Sequence, residues 1–141
     1  MVFAEGEEER VIRAAVAFGQ AGYGLPILVG KTEIIHAAMD KLGLGQPPGI
    51  EIVDPAKSTR REAYTDMLYR RLQRQGVLQR DCQRMVSVFR SVFAACMVAQ
   101  NDADAMIAGL TRSYTEVYED IRRVLDPKPG YRPFGLAVLV A

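Results

Sequence analysis

A chain of 141 residues is one domain's worth of protein, long enough to bury roughly two thirds of its unfolded surface without staples. Its 49% hydrophobic and 25% charged residues exclude a disordered tail, a collagen-like fibre and a disulfide-dense secreted scaffold. Eighteen Lys and Arg against seventeen Asp and Glu leave a net charge of +1, without the basic excess that binding nucleic acid by counterion release requires.

The chain alternates short apolar runs with amphipathic stretches, the pattern of βα units and a mostly parallel sheet. Val2-Phe3-Ala4 reads as a first strand. A helix follows, with Glu7, Glu8 and Glu9 in its first turn, where carboxylates suit the positive end of the dipole; Val11, Ala15 and Phe18 share a face, and it ends near Gly22. Pro26–Val29 is a second strand, after which Thr32 is placed to cap a helix carrying Ile35, Ala38, Met39 and Leu42 at helical spacing. Gly43–Gly49, with Pro47-Pro48, is a turn region, and Ile50–Val53 a third strand closed by Asp54-Pro55.

Thr59 and Glu62 have the spacing of a capping box, opening a long helix that stops at Gly76. Two helices are expected over 79–88 and 91–100, the second capped by Ser91. Ala105–Ile107 is a fourth strand. Ser113 and Glu116 form a second capping box, and Tyr114, Val117, Tyr118, Ile121 and Leu125 make an apolar stripe on a helix stopped by Asp126-Pro127. Phe134–Val140 is a fifth strand. The expected fold is therefore an α/β, three-layer arrangement: an open, mostly parallel sheet of about five strands with helices on both faces, forming a single subdomain over 1–141. A domain that ends on an apolar strand leaves an edge uncovered, so the chain is expected to be a fragment, or its last strand to dock at an interface.

Several functional classes are excluded. The arginine doublets at 60–61, 70–71 and 122–123 have acids nearby. No apolar run approaches the ~20 residues of a bilayer span, and the acidic opening MVFAEGEEER precedes no signal-peptide core. A soluble, cytoplasmic chain with no nucleic-acid or membrane partner is expected. The two cysteines, Cys82 and Cys96, read as buried free thiols, and the single histidine, His36, as a boundary residue. A histidine-rich metal site is out of reach.

Two glycine-rich stretches are decoys. Gly24–Thr32 ends in Gly-Lys-Thr, but five residues separate its glycines where a phosphate-binding P-loop has four, and those five read as a strand rather than a loop of exposed N–H groups. No GxGxxG is present. The better candidate is Gly109-Leu110-Thr111-Arg112-Ser113, which follows a strand and opens a helix, so that backbone N–H groups and the dipole converge. Thr111 and Ser113 offer hydroxyls, and Arg112 a fork suited to phosphate. The competing reading makes Ser113 a simple cap and Arg112 a surface charge. Glu5 to Glu9 read as a solvated helix start rather than as paired catalytic acids.

The segments FAEGEEERVIRAA, PILVG, LQRQG, ADAMIAG and DPKPG together resemble the phosphate acetyltransferase family. DCQR, VFAACMVA, DADAMIAGLTRSY and EDIRRVLDPKPG are similar in particular to the phosphotransacetylase-like C-terminal region of large bacterial NADP-dependent malic enzymes. The resemblance runs from Val2 to Val140 and implies the first of the two α/β subdomains of that region. Two departures from the enzymatic pattern stand out: Ala108 replaces a loop serine, and Glu119, followed by Asp120, stands where a substrate-binding arginine precedes a proline. The family's remaining catalytic serine, arginine and aspartate come from a later segment.

The resemblance thus implies a non-catalytic segment that senses acetyl-CoA and helps assemble a homo-oligomer. Thr111, Arg112 and Ser113 would contact the ligand, with Arg90 as a further contact. No cofactor belongs to this segment; NADP and a divalent metal would serve the remaining malic-enzyme domains, which convert malate to pyruvate. The alternatives are a working phosphate acetyltransferase, moving acetyl between CoA and phosphate, and a purely structural oligomerisation region.

Overall fold

The computed structural model describes residues 1–133; the strand expected over Phe134–Val140 lies outside the described residues. The apolar runs form four strands, β1 (Val2–Phe3), β2 (Ile27–Val29), β3 (Glu51–Val53) and β4 (Met106–Ile107). The amphipathic stretches form helices α1 (Glu9–Gln20), α2 (Thr32–Lys41), α3 (Arg61–Leu72), α4 (Gln79–Val88), α5 (Arg90–Ala99) and α6 (Tyr114–Val124). All pairings are parallel, in the order β3-β2-β1-β4. Val2 lies opposite Ile27 on one side and Met106 on the other.

Side chains alternate across a strand, and along β1 and β2 both faces are buried, as in parallel sheets generally. Val2, Ala4, Ile27 and Val29 join Tyr64, Leu68, Val86, Phe93 and Val124 in one core, so α3 to α6 cover that face. Phe3 and Leu28 point the other way, into a second core with Ile12, Ala15, Val16, Ile35 and Met39 from α1 and α2. The three-layer α/β fold is thus built on the residues predicted for it. Helix α5, apolar almost all round, is the most enclosed of the described helices: Ser91 to Met97 are all buried. Among the described residues no single helix is long and apolar enough to cross a membrane.

Cys82 and Cys96 are free and fully buried, and burial, helped by the neighbouring Cys82, pushes the Cys96 thiol up to about 12, which leaves it inert as a nucleophile. His36 is half-buried, at the boundary where it was expected.

The helix starts differ from the sequence reading in instructive ways. Thr32 is the first residue of α2 rather than its cap, and Lys31 holds the cap position with no side-chain bond. Thr59 and Glu62 form no box: Arg60 precedes α3 in a helical conformation, and Ser58 Oγ accepts its N–H at 3.2 Å. Ser91 lies inside α5, after Phe89 and Arg90, with its hydroxyl drawn to a partner on α6. Helix α1 begins at Glu9 and buries Ile12, Ala15 and Val16; Glu5 and Glu7 stay outside it because both have partners elsewhere in the fold. The Ser113–Glu116 box forms as expected. The face that α6 buries, however, is Val117, Asp120 and Val124, while Tyr114 is 68% exposed and stacks on Tyr118 with ring centroids 5.6 Å apart.

The chain runs from β1 outward through β2 to β3 and then returns to lay β4 on the far side of β1. That reversal creates a crevice outside the carboxyl ends of β1 and β4, the place where open α/β sheets hold ligands. Gly6 helps close the sheet beside it. Its N–H donates to the Val29 carbonyl at 3.0 Å, and a Cβ there would lie 2.9 Å from Leu28 Cβ and from the Val29 backbone. Gly6→Ala should therefore destabilise the fold by about 1–3 kcal/mol in urea unfolding; a loss under about 0.5 kcal/mol, within the range of a surface substitution, would show that the strands yield.

Candidate functional site

Ala4 and Glu5 follow β1, and Ala108 and Gly109 follow β4, so the parallel register of the two strands brings these residues to one edge. A cavity of about 380 Å³ opens there, with Val88, Phe89 and Val117 as apolar walls and Arg90, Ser91, Thr111 and Arg112 as polar ones. Three of the four residues expected to bind a ligand, Arg90, Thr111 and Arg112, thus meet in one place. Ser113 does not line the cavity. Its Oγ donates to Glu116 Oε2 at 2.7 Å and accepts the Glu116 N–H at 3.4 Å, so it serves as the cap of α6.

The loop after β4 is shaped to hold an anion, and it holds one from its own chain. Gly109, at φ +109°, allows a turn that few other residues would adopt. Gly109 and Leu110 donate their N–H groups to Glu5 Oε2 at 2.9 and 2.8 Å. Thr111 donates its N–H and its hydroxyl to Glu5 Oε1, each at 2.7 Å. Partial burial works against the charge of Glu5, but these four bonds outweigh it and hold the carboxyl below its ordinary value.

Both arginines are likewise occupied. Arg90 reaches Glu7 Oε1 at 2.5 Å, and the Lys31 N–H donates to the same oxygen at 2.8 Å. Burial again opposes ionisation of Glu7, and again the Arg90 and Lys31 bonds prevail and lower its pKa. Arg112 lies over the Phe89 ring, 5.5 Å from its centroid, and pairs with Asp120 Oδ2 at 2.5 Å. Asp120, only 2% exposed, also accepts the Ser91 hydroxyl at 2.6 Å and Arg123 at 2.9 Å. A buried carboxylate needs this many donors.

Glu5, Ser91 and Asp120 are the site residues that the sequence reading missed. Asp120 sits three residues after Val117 and four before Val124, on their face of the helix, which is the periodic signal that could have revealed it. Glu119 points elsewhere: it is exposed, in a groove with Arg71, Arg122 and Arg123 between α3 and α6. Ala108 does line the cleft, where it presents a methyl group and no hydroxyl.

A family model described as phosphate acetyl/butaryl transferase matches residues 1–141. The chain belongs to that family. It is 46% identical over 142 residues to a Rickettsia prowazekii protein described as a probable NADP-dependent malic enzyme, a match that covers 100% of this chain and 18% of that protein. It is also 46% identical over 139 residues to an NADP-dependent malic enzyme of Rhizobium meliloti, covering 98% and 18% respectively. Among solved structures, a phosphotransacetylase from Streptococcus pyogenes superposes with a TM-score of 0.81 at 26% identity, covering 94% of this chain and 40% of that one. This family member therefore spans under a fifth of the length of its malic-enzyme relatives.

Because the carboxyl of Glu5 has its pKa lowered by folding, the unfolded chain takes up the proton first as pH falls. The stabilisation is complete above the ordinary value of 4.5 and is lost as pH drops through the lower folded value. Urea unfolding of wild type and Glu5→Gln from about pH 7 to about pH 3 should show a stability gap that closes with acid. A gap that stays constant would mean that the charge of Glu5 is not what the loop recognises.

Proposed function

We propose that this family member is a non-catalytic region that senses acetyl-CoA and supports assembly within a larger, malic-enzyme-type protein of the cytoplasm. The observation that carries the reading is the neutrality of the cleft. Arg90 and Arg112 are paired with Glu7 and Asp120, and the amide loop is filled by Glu5. Acyl transfer to phosphate needs preorganised positive charge aimed at a developing anion, whereas both arginines of the cleft and the loop amides Gly109 to Thr111 already face carboxylates of this chain. Binding asks for less: a concave site with apolar walls and a few polar groups at a switch point, which Val88, Phe89, Val117 and the loop supply.

On this reading malate decarboxylation, NADP and the divalent metal belong to other domains of the protein. Acetyl-CoA acts on them through a coupling free energy, typically ~1–3 kcal/mol. Thr111, Arg112 and Arg90 contact the effector, and Ser113 shapes the helix start behind them. A second reading, a working phosphate acetyltransferase, draws support from the family match over the whole chain. It predicts acetyl phosphate formation from acetyl-CoA and phosphate by the full-length protein.

Thermal unfolding with acetyl-CoA, CoA, acetyl phosphate and NADP in turn tests the proposal. A ligand at a hundred times its dissociation constant adds about 2.7 kcal/mol, which raises the midpoint of a domain this size by several degrees. A rise with acetyl-CoA and none with NADP is expected. No response to any CoA ester, with the chain dimeric or larger, would leave assembly as its role.

A further inference from the structure

The Glu5 contact has the form of a bound ligand. Three consecutive N–H groups and one hydroxyl converge on the two oxygens of a single carboxylate, the arrangement of a backbone anion nest. These donors are not the start of α6, which begins at Tyr114 and has its own cap in Ser113 and Glu116. They belong to the β4–α6 loop, 104 to 106 positions away from Glu5 in sequence. The cavity beside them also contains Arg112 and Arg90, whose side chains retain 34% exposure each.

We propose that the Gly109–Thr111 loop is a phosphate seat with the Glu5 carboxylate as its resident occupant, so that a ligand's phosphate group enters by displacing Glu5. This deepens the reading of the cleft as a ligand site and rests on it, though not on acetyl-CoA being the ligand. The displacement is chemically balanced, one anion leaving the same donors that another takes up. Glu5 is half-buried, so its displaced carboxylate regains water. Arg112 and Arg90 stand beside the incoming charge.

The contact also sets the apparent affinity. A tethered competitor acts at a millimolar effective concentration or higher, and its charge repels a phosphate dianion at close range. The intact chain should therefore bind free phosphate poorly, and affinity should appear when Glu5 is removed. Glu5 thus limits access to the seat: a ligand that makes further contacts in the cleft can outcompete it, whereas a lone phosphate ion cannot.

The test compares wild type with Glu5→Ala, titrated with inorganic phosphate and separately with acetate, against chloride at matched ionic strength. Amide NMR of Gly109, Leu110 and Thr111 and the thermal midpoint are the readouts. The expected result is saturable shifts at these three amides in the variant, at least tenfold tighter for phosphate than in wild type, together with a midpoint restored by either anion. A folded variant whose three amides ignore both anions would overturn the proposal. If Glu5→Ala does not fold in chloride, recovery of its far-UV circular dichroism in phosphate or acetate supports the seat, and no recovery in either overturns it. Should wild type fail to respond to acetyl-CoA while the variant binds phosphate, the acyl-CoA reading falls and the seat remains.

Discussion

Strand β1, only two residues long, is the element on which the rest of the molecule depends. It pairs with β2 on one side and β4 on the other, and its two side chains enter opposite cores, Val2 beneath α3 to α6 and Phe3 beneath α1 and α2. With both faces and both edges covered, β1 has no polar surface to spare. The chain leaves it at Glu5, on the carboxyl edge where the order of the strands reverses. Glu5 then reaches the loop after β4, so the centre of the sheet and the edge of the cleft are joined by one carboxylate.

The chemistry of the cleft is governed by local neutrality. Each cation there has an anion from a different element: Arg90 of α5 pairs with Glu7 from the β1–α1 connection, and Arg112 pairs with Asp120 of α6. The backbone donors of the β4–α6 loop are filled in the same way. Buried charges cost several kcal/mol unless they are paired, so this pairing permits Asp120 to sit at 2% exposure. The same pairing sets a carboxylate against each arginine of the cleft, and this is the feature on which the proposed non-catalytic role rests.

The apolar stripe on α6 shows how a strong sequence pattern can give an incomplete answer. Tyr114, Val117, Tyr118 and Ile121 fall on one side of the helix, yet the side that faces α5 is Val117, Asp120 and Val124. Periodicity places Asp120 on the face of Val117 and Val124, but it does not name the donors, Ser91 and Arg112 among them, that let a charge sit there. Ser91 misleads for a related reason. A serine before an apolar run is usually a cap, but here α5 extends a residue further and the hydroxyl turns to Asp120. The capping box at Ser113 and Glu116 was legible because both partners lie within one turn.

By itself, then, the sequence determined what depends on short range and on hydrophobic period: the strands β1 to β4, the helices between them, the two-faced core, the free buried cysteines and the place of the loop after β4. Only the tertiary structure decided what that loop holds. Glu5 and Thr111 are separated by 106 positions, and no local rule of spacing links them. They become neighbours because β1 and β4 lie side by side in parallel register. The pairings of Arg90 with Glu7 and of Ser91 with Asp120 arise in the same way, from elements brought together by burial of the sheet. Hydrophobic burial is non-directional and can be read from composition and period, whereas a hydrogen-bonded charge requires particular atoms within about 3 Å of one another, and only the folded chain brings them there.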